Sequence, residues 1–323
     1  MRSVRLALLD DYQGVALSLG DWQRLAPAVT VDALDGPIGD IDRVAERLAP
    51  YDAILAMRER TPFPAALFAR LPRLRLLVTA GMANAAIDLE AAAAHGVQVC
   101  GTRSWPHATP ELTLGLMLAL VRHIPREALG MRTGRWQETV GVGLHGRTLG
   151  LIGLGTIGSR MAAFGQVLGM KVIAWSANLT DEKAAAAGAI RVDKEDLLAA
   201  ADVVSIHLRL SERSRGLIGA RELGLMKPTA YLINTSRGPI VDEAALVAHL
   251  QAGRIAGAGL DVFDLEPLPA DHPLRSLDNA VLLPHLGYVV EENYRLIYAD
   301  TIEAVEGFQA GTPVRPLNAP RGA

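Results

Sequence analysis

One stretch decides the fold: Thr148-Leu149-Gly150-Leu151-Ile152-Gly153-Leu154-Gly155-Thr156-Ile157-Gly158. The apolar run from Leu149 to Ile152 predicts a buried strand, which breaks into glycines with the spacing G-x-G-x-x-G. A helix is predicted next, because apolar residues recur at helical spacing: Ile157, Met161, Phe164 and Leu168. A second strand from Lys171 to Trp175 completes a βαβ unit of the kind that binds dinucleotides.

Each glycine of the motif has a mechanical reason. Gly153 permits the tight turn, Gly155 lets the backbone approach a pyrophosphate, and Gly158 lets the helix and strand pack closely. The N–H groups of the first helical residues, including Thr156 and Ile157, would face a phosphate with the positive end of the helix dipole. We therefore predict that this turn binds a dinucleotide.

The composition is that of an ordinary globular protein. Of the 323 residues, 50% are hydrophobic and 21% are charged, and the net charge of -3 gives no basic excess that would suggest nucleic acid. The single cysteine, Cys100, cannot form an internal disulfide, and no signal-peptide profile precedes the first predicted strand, which together indicate the cytoplasm. The uncharged run from Leu112 to Val121 is too short for a membrane span of about 20 residues. No His and Cys cluster has metal-ligand spacing, so no metal is expected.

The first hundred residues alternate between strands and helices, which predicts a small α/β domain with a parallel sheet. The predicted strands are 4–9, 29–33, 53–57, 76–79 and 97–100. After the fourth strand comes the turn Ala80-Gly81-Met82-Ala83-Asn84. From spacing alone, this turn is either a plain loop or a set of backbone amides that hold an anion.

The segment Thr109-Pro110-Glu111 indicates a helix start, with Thr109 as N-cap and proline at the first helical position. The helix should continue to about Val121 and is apolar nearly all round, so we expect it to be buried between domains or between subunits.

After the glycine motif, the alternation indicates a complete doubly wound sheet, which has six strands. Further strands are predicted at 190–192, 202–208, 230–234, 255–262 and 280–283. The C-terminal helix, about 292–309, is surplus to that sheet, and we expect it to return to the first domain.

Three reactive side chains follow three successive strands. Arg237, Glu266 and His285 come after the strands that end near 234, 263 and 283. Ligands of such sheets bind outside the carboxyl ends of the strands, so all three should share a crevice with the glycine turn. A guanidinium fork suits a carboxylate and an adjacent carbonyl, and a histidine can deliver or take a proton. Each residue alone would more often be an ordinary surface or loop residue, but their shared edge favours a joint function.

The segment around Arg237, Asn234-Thr235-Ser236-Arg237-Gly238-Pro239-Ile240-Val241-Asp242-Glu243-Ala244-Ala245-Leu246, resembles a signature of the D-isomer-specific 2-hydroxyacid dehydrogenases. Similar resemblances lie in Gly259-Leu260-Asp261-Val262-Phe263, in Glu266-Pro267-Leu268 and in Pro284-His285-Leu286-Gly287. The resemblance extends over nearly the whole chain.

The resemblance implies a Rossmann nucleotide domain at 102–287 and a smaller flavodoxin-like substrate domain at 1–101 and 288–323. It also implies roles. Arg237 would bind the substrate carboxylate and carbonyl, and His285 would be the acid/base with Glu266 as its partner. Asp261 would contact the carboxamide side of the nicotinamide, and the amides near Ala80, Gly81 and Met82 would help hold the carboxylate. The family further implies a homodimer around the long apolar helix.

The choice between NAD and NADP stays open. An NAD enzyme usually places an acid after the second strand, but Trp175 is followed by Ser176-Ala177-Asn178. Without that carboxylate, the 2′-phosphate of NADP meets no repulsion, which favours NADP. Arg209, where the family usually has proline, is either a support for that phosphate or an exposed loop arginine. His207 and Thr235 are the other residues expected in the cofactor site.

The sequence thus predicts an oxidoreductase that transfers a hydride between NAD(P)(H) and a small 2-hydroxyacid or 2-oxoacid. The alternative is a catalytically weak NAD(H)-sensing protein, like the corepressors that share this fold. No long tail or extra basic segment suits that role, and the triad of Arg237, Glu266 and His285 is complete.

Overall fold

The computed structural model describes residues 3–320, which divide into two compact units. One unit comprises 3–105 with 289–320, and the other comprises 106–288. The predicted domain boundaries fall close to this division, and residues 1–2 and 321–323 of the predicted first domain lie outside the described residues. That the first unit is a substrate-binding domain stays a prediction.

The first unit is built on a five-stranded parallel sheet with the strand order β2-β1-β3-β4-β5. This is the flavodoxin-like order, as predicted. The strands are β1 Val4–Leu8, β2 Val29–Ala33, β3 Ala53–Ala56, β4 Leu76–Thr79 and β5 Gln98–Gly101. The first four helices of the chain are α1 Ala16–Leu19, α2 Ile41–Leu48, α3 Ala65–Phe68 and α4 Leu89–Ala94.

Side-chain caps fix where two of these helices begin. The carboxylate of Asp40 accepts from the N–H of Arg43 at the start of α2, and that of Asp88 accepts from Ala91 at the start of α4. Strands β3, β4 and β5 are buried along their whole length, which explains why β3 and β4 are apolar without alternation. Cys100 is a buried free thiol in β5.

The second unit holds a seven-stranded parallel sheet with the order β12-β11-β10-β9-β6-β7-β8. The strands are β6 Thr148–Ile152, β7 Lys171–Trp175, β8 Ile190–Arg191, β9 Val203–Ile206, β10 Tyr231–Asn234, β11 Gly257–Leu260 and β12 Ala280–Leu282. All seven strands lie at predicted positions, and only the predicted total of six is wrong, by one. The first six follow the doubly wound order, and β12 pairs in parallel with β11 as an additional edge strand.

Helices cover this sheet: α5 Ala108–Val121, α6 Ile124–Arg132, α7 Thr156–Val167, α8 Asp181–Ala186, α9 Lys194–Ala200, α10 Ala220–Leu225 and α11 Glu243–Gln251. The C-terminal helix, α12 Glu291–Gln309, belongs to the first unit and packs against α1 and β4, which is the predicted return. Within residues 3–320, no helix is long and apolar enough to cross a membrane.

The start of α5 differs from the prediction. The N-cap is His107 rather than Thr109, and Thr109 lies inside the first turn. The hydroxyl of Thr109 does not cap the helix; it donates to the carbonyl of Gly287 at 2.7 Å. The side chain of Thr109 therefore makes a tertiary hydrogen bond to Gly287 in place of the predicted N-cap.

Candidate active site

The glycine turn has the backbone that the motif requires. Gly153 has φ +100, and a Cβ there would lie 2.6 Å from the carbonyl oxygen of His207. A Cβ at Gly158 would lie 2.1 Å from the carbonyl oxygen of Gly153. Both positions therefore need glycine for the fold itself: one for the left-handed turn, the other for the close approach of helix α7.

Gly155 is different, and it tests whether a dinucleotide fits. Its φ of -85 is open to any residue, and a Cβ there would meet no atom of the protein within 4 Å. Neither conformation nor packing of the chain explains the glycine. The helix that starts at Thr156 has no side-chain cap and no acidic residue in its first turn. An exposed helix start beside a position kept clear of side chains fits the pyrophosphate of a dinucleotide.

The strands whose ends carry the other predicted residues are neighbours in the sheet. His207 follows β9, Arg237 follows β10, Asp261 follows β11 and His285 follows β12. Because the strands are parallel, these residues lie at the same edge of the sheet as the glycine turn.

His207 lies directly beneath that turn. Its Nε2 is 2.9 Å from the hydroxyl of Ser205, and burial lowers the pKa of its imidazole to about 3. Its Nδ1 is buried and has no hydrogen-bond partner among residues 3–320. His207 is thus a neutral ring at neutral pH, so it can shape the cofactor site but cannot supply a positive charge to a phosphate.

The residues predicted on the adenosine side are surface groups. Ser176 directly follows β7 and is half-buried, and its carbonyl accepts from the N–H of Leu179 in a turn. Arg209 is exposed, and its carbonyl is fixed by the hydroxyl of Ser214 at 2.7 Å. Among the described residues, no hydrogen bond joins the side chains of Ser176 and Arg209, and the roles of both stay predictions.

Glu266 and His285 are brought together. One carboxylate oxygen of Glu266 lies 2.6 Å from Nδ1 of His285, and the other accepts from the N–H of Phe263 at 2.9 Å. The side chains are 31% and 16% exposed, so the pair is sheltered but reachable. Tyr288 packs edge-on against the imidazole, with ring centroids 5.7 Å apart.

This contact decides which nitrogen of His285 is available for chemistry. An ionised carboxylate can only accept hydrogen bonds, so Nδ1 of His285 carries a hydrogen and donates it in a hydrogen bond to Glu266. Nε2 of His285 is then the nitrogen that can donate a proton to a ligand or take one from it. The arrangement is that of a general acid/base with an orienting carboxylate.

Arg237 is held by its own loop. Its Nη1 donates to the carbonyl of Ser236 at 2.7 Å, and its carbonyl accepts from the amide side chain of Asn234. The next residue, Gly238, packs so closely on the exit of β11 that a Cβ would lie 2.1 Å from the carbonyl carbon of Phe263. Arg237 lies at the same edge of the sheet as Glu266 and His285.

Asp261 makes contacts that sequence reasoning missed. It is fully buried, and its two oxygens accept from the N–H groups of Leu286 at 2.7 Å and Gly287 at 2.8 Å. Burial raises the pKa of this carboxyl to about 6, although both hydrogen bonds and the nearby His285 oppose the rise. The predicted contact of Asp261 with nicotinamide stays a prediction.

In the first unit, the turn after β4 offers fewer free amides than predicted. The N–H of Ala80 donates to the carbonyl of Ala56, and that of Gly81 donates to the hydroxyl of Thr102 at 2.9 Å. Of the three residues, only Met82 has an N–H without an acceptor among the described residues. The anion-binding role of Ala80, Gly81 and Met82 stays a prediction, and Met82 offers the N–H group that is available for it.

The fold and the pairing of Glu266 with His285 point to a class of protein, an oxidoreductase with a dinucleotide site; proton transfer by His285 stays a prediction. Residues 114–287 match the family model described as D-isomer specific 2-hydroxyacid dehydrogenase, NAD binding domain. The match covers more than half of the chain, and the chain belongs to this family.

Individual proteins similar to this chain are consistent with that family. A glyoxylate reductase of Aeropyrum pernix is 42% identical over 236 residues, which is 70% of each chain. A glycerate dehydrogenase of Methylorubrum extorquens is 35% identical over 86% of this chain and 89% of its own. The solved phosphoglycerate oxidoreductase of Vibrio cholerae O395 superposes with a TM-score of 0.92 at 38% identity, covering 95% of this chain and 99% of its own. The chain spans only 55% of a Bacillus subtilis D-3-phosphoglycerate dehydrogenase that it also matches.

These matches confirm the predicted family, the α/β fold with a Rossmann domain, and NAD(P) as the cofactor. They also confirm the predicted class of reaction, which is hydride transfer between the nicotinamide cofactor and a hydroxyacid or oxoacid. The roles of individual residues, the preferred cofactor and the particular acid are not decided by them.

Proposed function

We propose that this protein is a reductase of small 2-oxoacids in which His285 is the acid/base and Glu266 its orienting partner. The observation that carries the proposal is the 2.6 Å contact between Glu266 and Nδ1 of His285, which leaves Nε2 for the substrate. Both residues lie at the sheet edge that also carries the glycine turn.

The bound NAD(P)H supplies the hydride that reaches the carbonyl carbon of the 2-oxoacid. Residues of the chain transfer the proton and bind the substrate. Nε2 of His285 donates a proton to the carbonyl oxygen, and the resulting imidazole recovers a proton from water. Arg237 holds the carboxylate with a planar fork of N–H donors and polarises the carbonyl. In the reverse direction, neutral His285 removes the hydroxyl proton of the 2-hydroxyacid.

Two relatives suggest which acids to try first. The names glyoxylate reductase and glycerate dehydrogenase refer to acids of two and three carbons. We propose that the substrate is of this size, and that glyoxylate and hydroxypyruvate, the 2-oxoacid of glycerate, belong at the centre of a substrate panel.

We propose that NADPH is used at least as well as NADH. The position that an acid occupies in many NAD enzymes is Ser176, so a 2′-phosphate meets no carboxylate there. Arg209 is the exposed cation proposed to support that phosphate.

We further propose a homodimer. Within residues 124–140 of the second unit, five large apolar side chains are exposed: Ile124, Leu129, Met131, Trp136 and Val140. A cluster of this kind is typical of an interaction surface, and a second copy of the chain is the partner that the family implies. Leu129→Glu should give a monomer by light scattering, whereas Val167→Glu, at an exposed valine of α7, should leave the dimer intact. A cytoplasmic location remains a prediction from the single cysteine.

The deciding experiment is steady-state turnover. Oxidation of NADH and of NADPH is followed at 340 nm with glyoxylate, hydroxypyruvate and pyruvate, using wild type and His285→Ala. We expect turnover by wild type and its loss in the variant, with cofactor affinity retained. Cofactor binding by wild type without turnover of any of these acids would contradict the proposal and favour the NAD(H)-sensing alternative.

A further inference from the structure

The backbone at His285 is held in a conformation that non-glycine residues avoid. His285 has φ +55, in the left-handed region. The two residues that follow are fixed by Asp261, whose carboxylate accepts one hydrogen bond from each of their N–H groups. A strained residue persists only where its surroundings enforce it, and the contacts of Leu286 and Gly287 supply that constraint here.

Gly287 is fixed at both of its polar groups. Its N–H donates to Asp261 at 2.8 Å, and its carbonyl accepts from the hydroxyl of Thr109 at 2.7 Å. A Cβ at Gly287 would lie 3.1 Å from the Asp261 carboxylate and 3.4 Å from the Thr109 side chain. The glycine is thus enclosed between β11 and the first turn of α5.

The backbone of Thr109 is held in turn by a chain of hydrogen bonds through two further threonines. Its carbonyl accepts from the hydroxyl of Thr113 at 2.7 Å, and that hydroxyl lies 2.8 Å from the hydroxyl of Thr235. Because Thr113 has given its only hydroxyl proton to Thr109, Thr235 must be the donor in the second contact. The bonds run in one direction, from the cofactor edge after β10, through α5, to the carbonyl of Gly287.

We propose that Thr109 is a positioning residue for His285. Its hydroxyl fixes the carbonyl of Gly287 and, together with Asp261, keeps the segment 285–287 in the geometry that places Nδ1 of His285 on Glu266. The catalytic consequence rests on the proposed function, whereas the structural consequence, a rigid 285–287 segment, does not.

The experiment replaces Thr109 in three ways. Thr109→Val removes the hydroxyl and keeps the shape, Thr109→Ser keeps the hydroxyl, and Thr109→Ala serves if valine impairs folding. Hydrogen exchange measured by NMR or mass spectrometry reports the N–H groups of Leu286 and Gly287, and turnover of glyoxylate reports catalysis. The control is Thr301→Val, because the hydroxyl of buried Thr301 donates to the carbonyl of Ile297 within its own helix.

We expect Thr109→Val or Thr109→Ala to speed exchange at Leu286 and Gly287 and to lower kcat about fivefold to tenfold, the value of one buried hydrogen bond. The Kd for the cofactor should be unchanged, Thr109→Ser should restore wild-type behaviour, and Thr301→Val should change neither readout. Unchanged exchange at both amides in the valine and alanine variants would overturn the proposal. If wild type turned over no 2-oxoacid, the exchange measurement would still decide it, and the two failures would be distinguishable.

Discussion

We predict that the buried carboxyl group of Asp10 makes the stability of the protein depend on pH. Asp10 follows β1 and is only 2% exposed, and one of its oxygens has no hydrogen-bond partner among the described residues. The other accepts from the hydroxyl of Thr61 at 3.0 Å. Burial raises the pKa of Asp10 from 3.8 to about 6, against the opposing effects of Thr61 and Arg60.

Whether stability rises or falls with pH depends on which state, folded or unfolded, binds the proton of Asp10 more tightly. The folded protein holds the proton of Asp10 up to about pH 6, whereas the unfolded chain releases it near the ordinary aspartate pKa of 3.8. The ionised carboxylate therefore costs stability at neutral pH, and that cost disappears as the pH falls through this window. A rise of this size corresponds to about 3 kcal/mol at pH 8, of which about 2 kcal/mol should be regained by pH 4.

Asp10→Asn keeps the shape and removes the charge, so its effect should depend on pH. The free energy of unfolding, from urea titrations followed by circular dichroism, should change more favourably at pH 8 than at pH 4, by about 2 kcal/mol. The comparison of two pH values cancels any constant cost of the new amide. Asp35→Asn is the control, because that side chain is 92% exposed, and it should show no comparable difference. An equal effect of Asp10→Asn at both pH values would refute the reasoning.

Three further predictions concern binding and catalysis. Gly155→Val should weaken cofactor binding about tenfold or more in a folded protein, since its side chain would meet only the ligand; fluorescence titration beside Gly143→Val, at another uncrowded glycine, checks this, and equal affinities would contradict it. Arg237→Lys should lower kcat/KM about 10- to 100-fold because ammonium cannot form the planar fork; near-native kinetics would mean that the carboxylate is held elsewhere. Arg209→Ala should raise KM for NADPH and spare NADH, and an equal effect on both would make Arg209 an ordinary surface residue.

The sequence was sufficient where local pattern and topology decide the outcome. The glycine spacing predicted the turn after β6, and the alternation of strands and helices predicted that Arg237, Glu266 and His285 follow strands on one edge. The meeting of Glu266 with His285 is consistent with that edge, because parallel strands bring their carboxyl ends together.

The sequence was insufficient where a side chain bonds to a distant segment. Thr109 has the local pattern of an N-cap, but its hydroxyl is taken by Gly287, far along the chain. Asp261 likewise gives both oxygens to the segment after His285, and Gly81 gives its N–H to Thr102. Such bonds depend on how elements pack, which periodicity and propensity do not encode. Strand β12 was predicted at 280–283, and only the expected total of six strands was wrong, because the doubly wound pattern supplied that number.

The central claim is that Glu266 orients His285 for proton transfer, and Glu266→Gln tests it most directly. Glutamine keeps a hydrogen-bonding group of similar shape but removes the negative charge that lies 2.6 Å from Nδ1 of His285. The measurement is kcat/KM at saturating cofactor, for reduction of glyoxylate and for oxidation of the corresponding hydroxyacid. Because a hydrogen bond to a charged group is stronger than one to a neutral group, kcat/KM should fall about tenfold in both directions, for about 1.4 kcal/mol of lost stabilisation. Unchanged kcat/KM in both directions would contradict the pairing of Glu266 with His285.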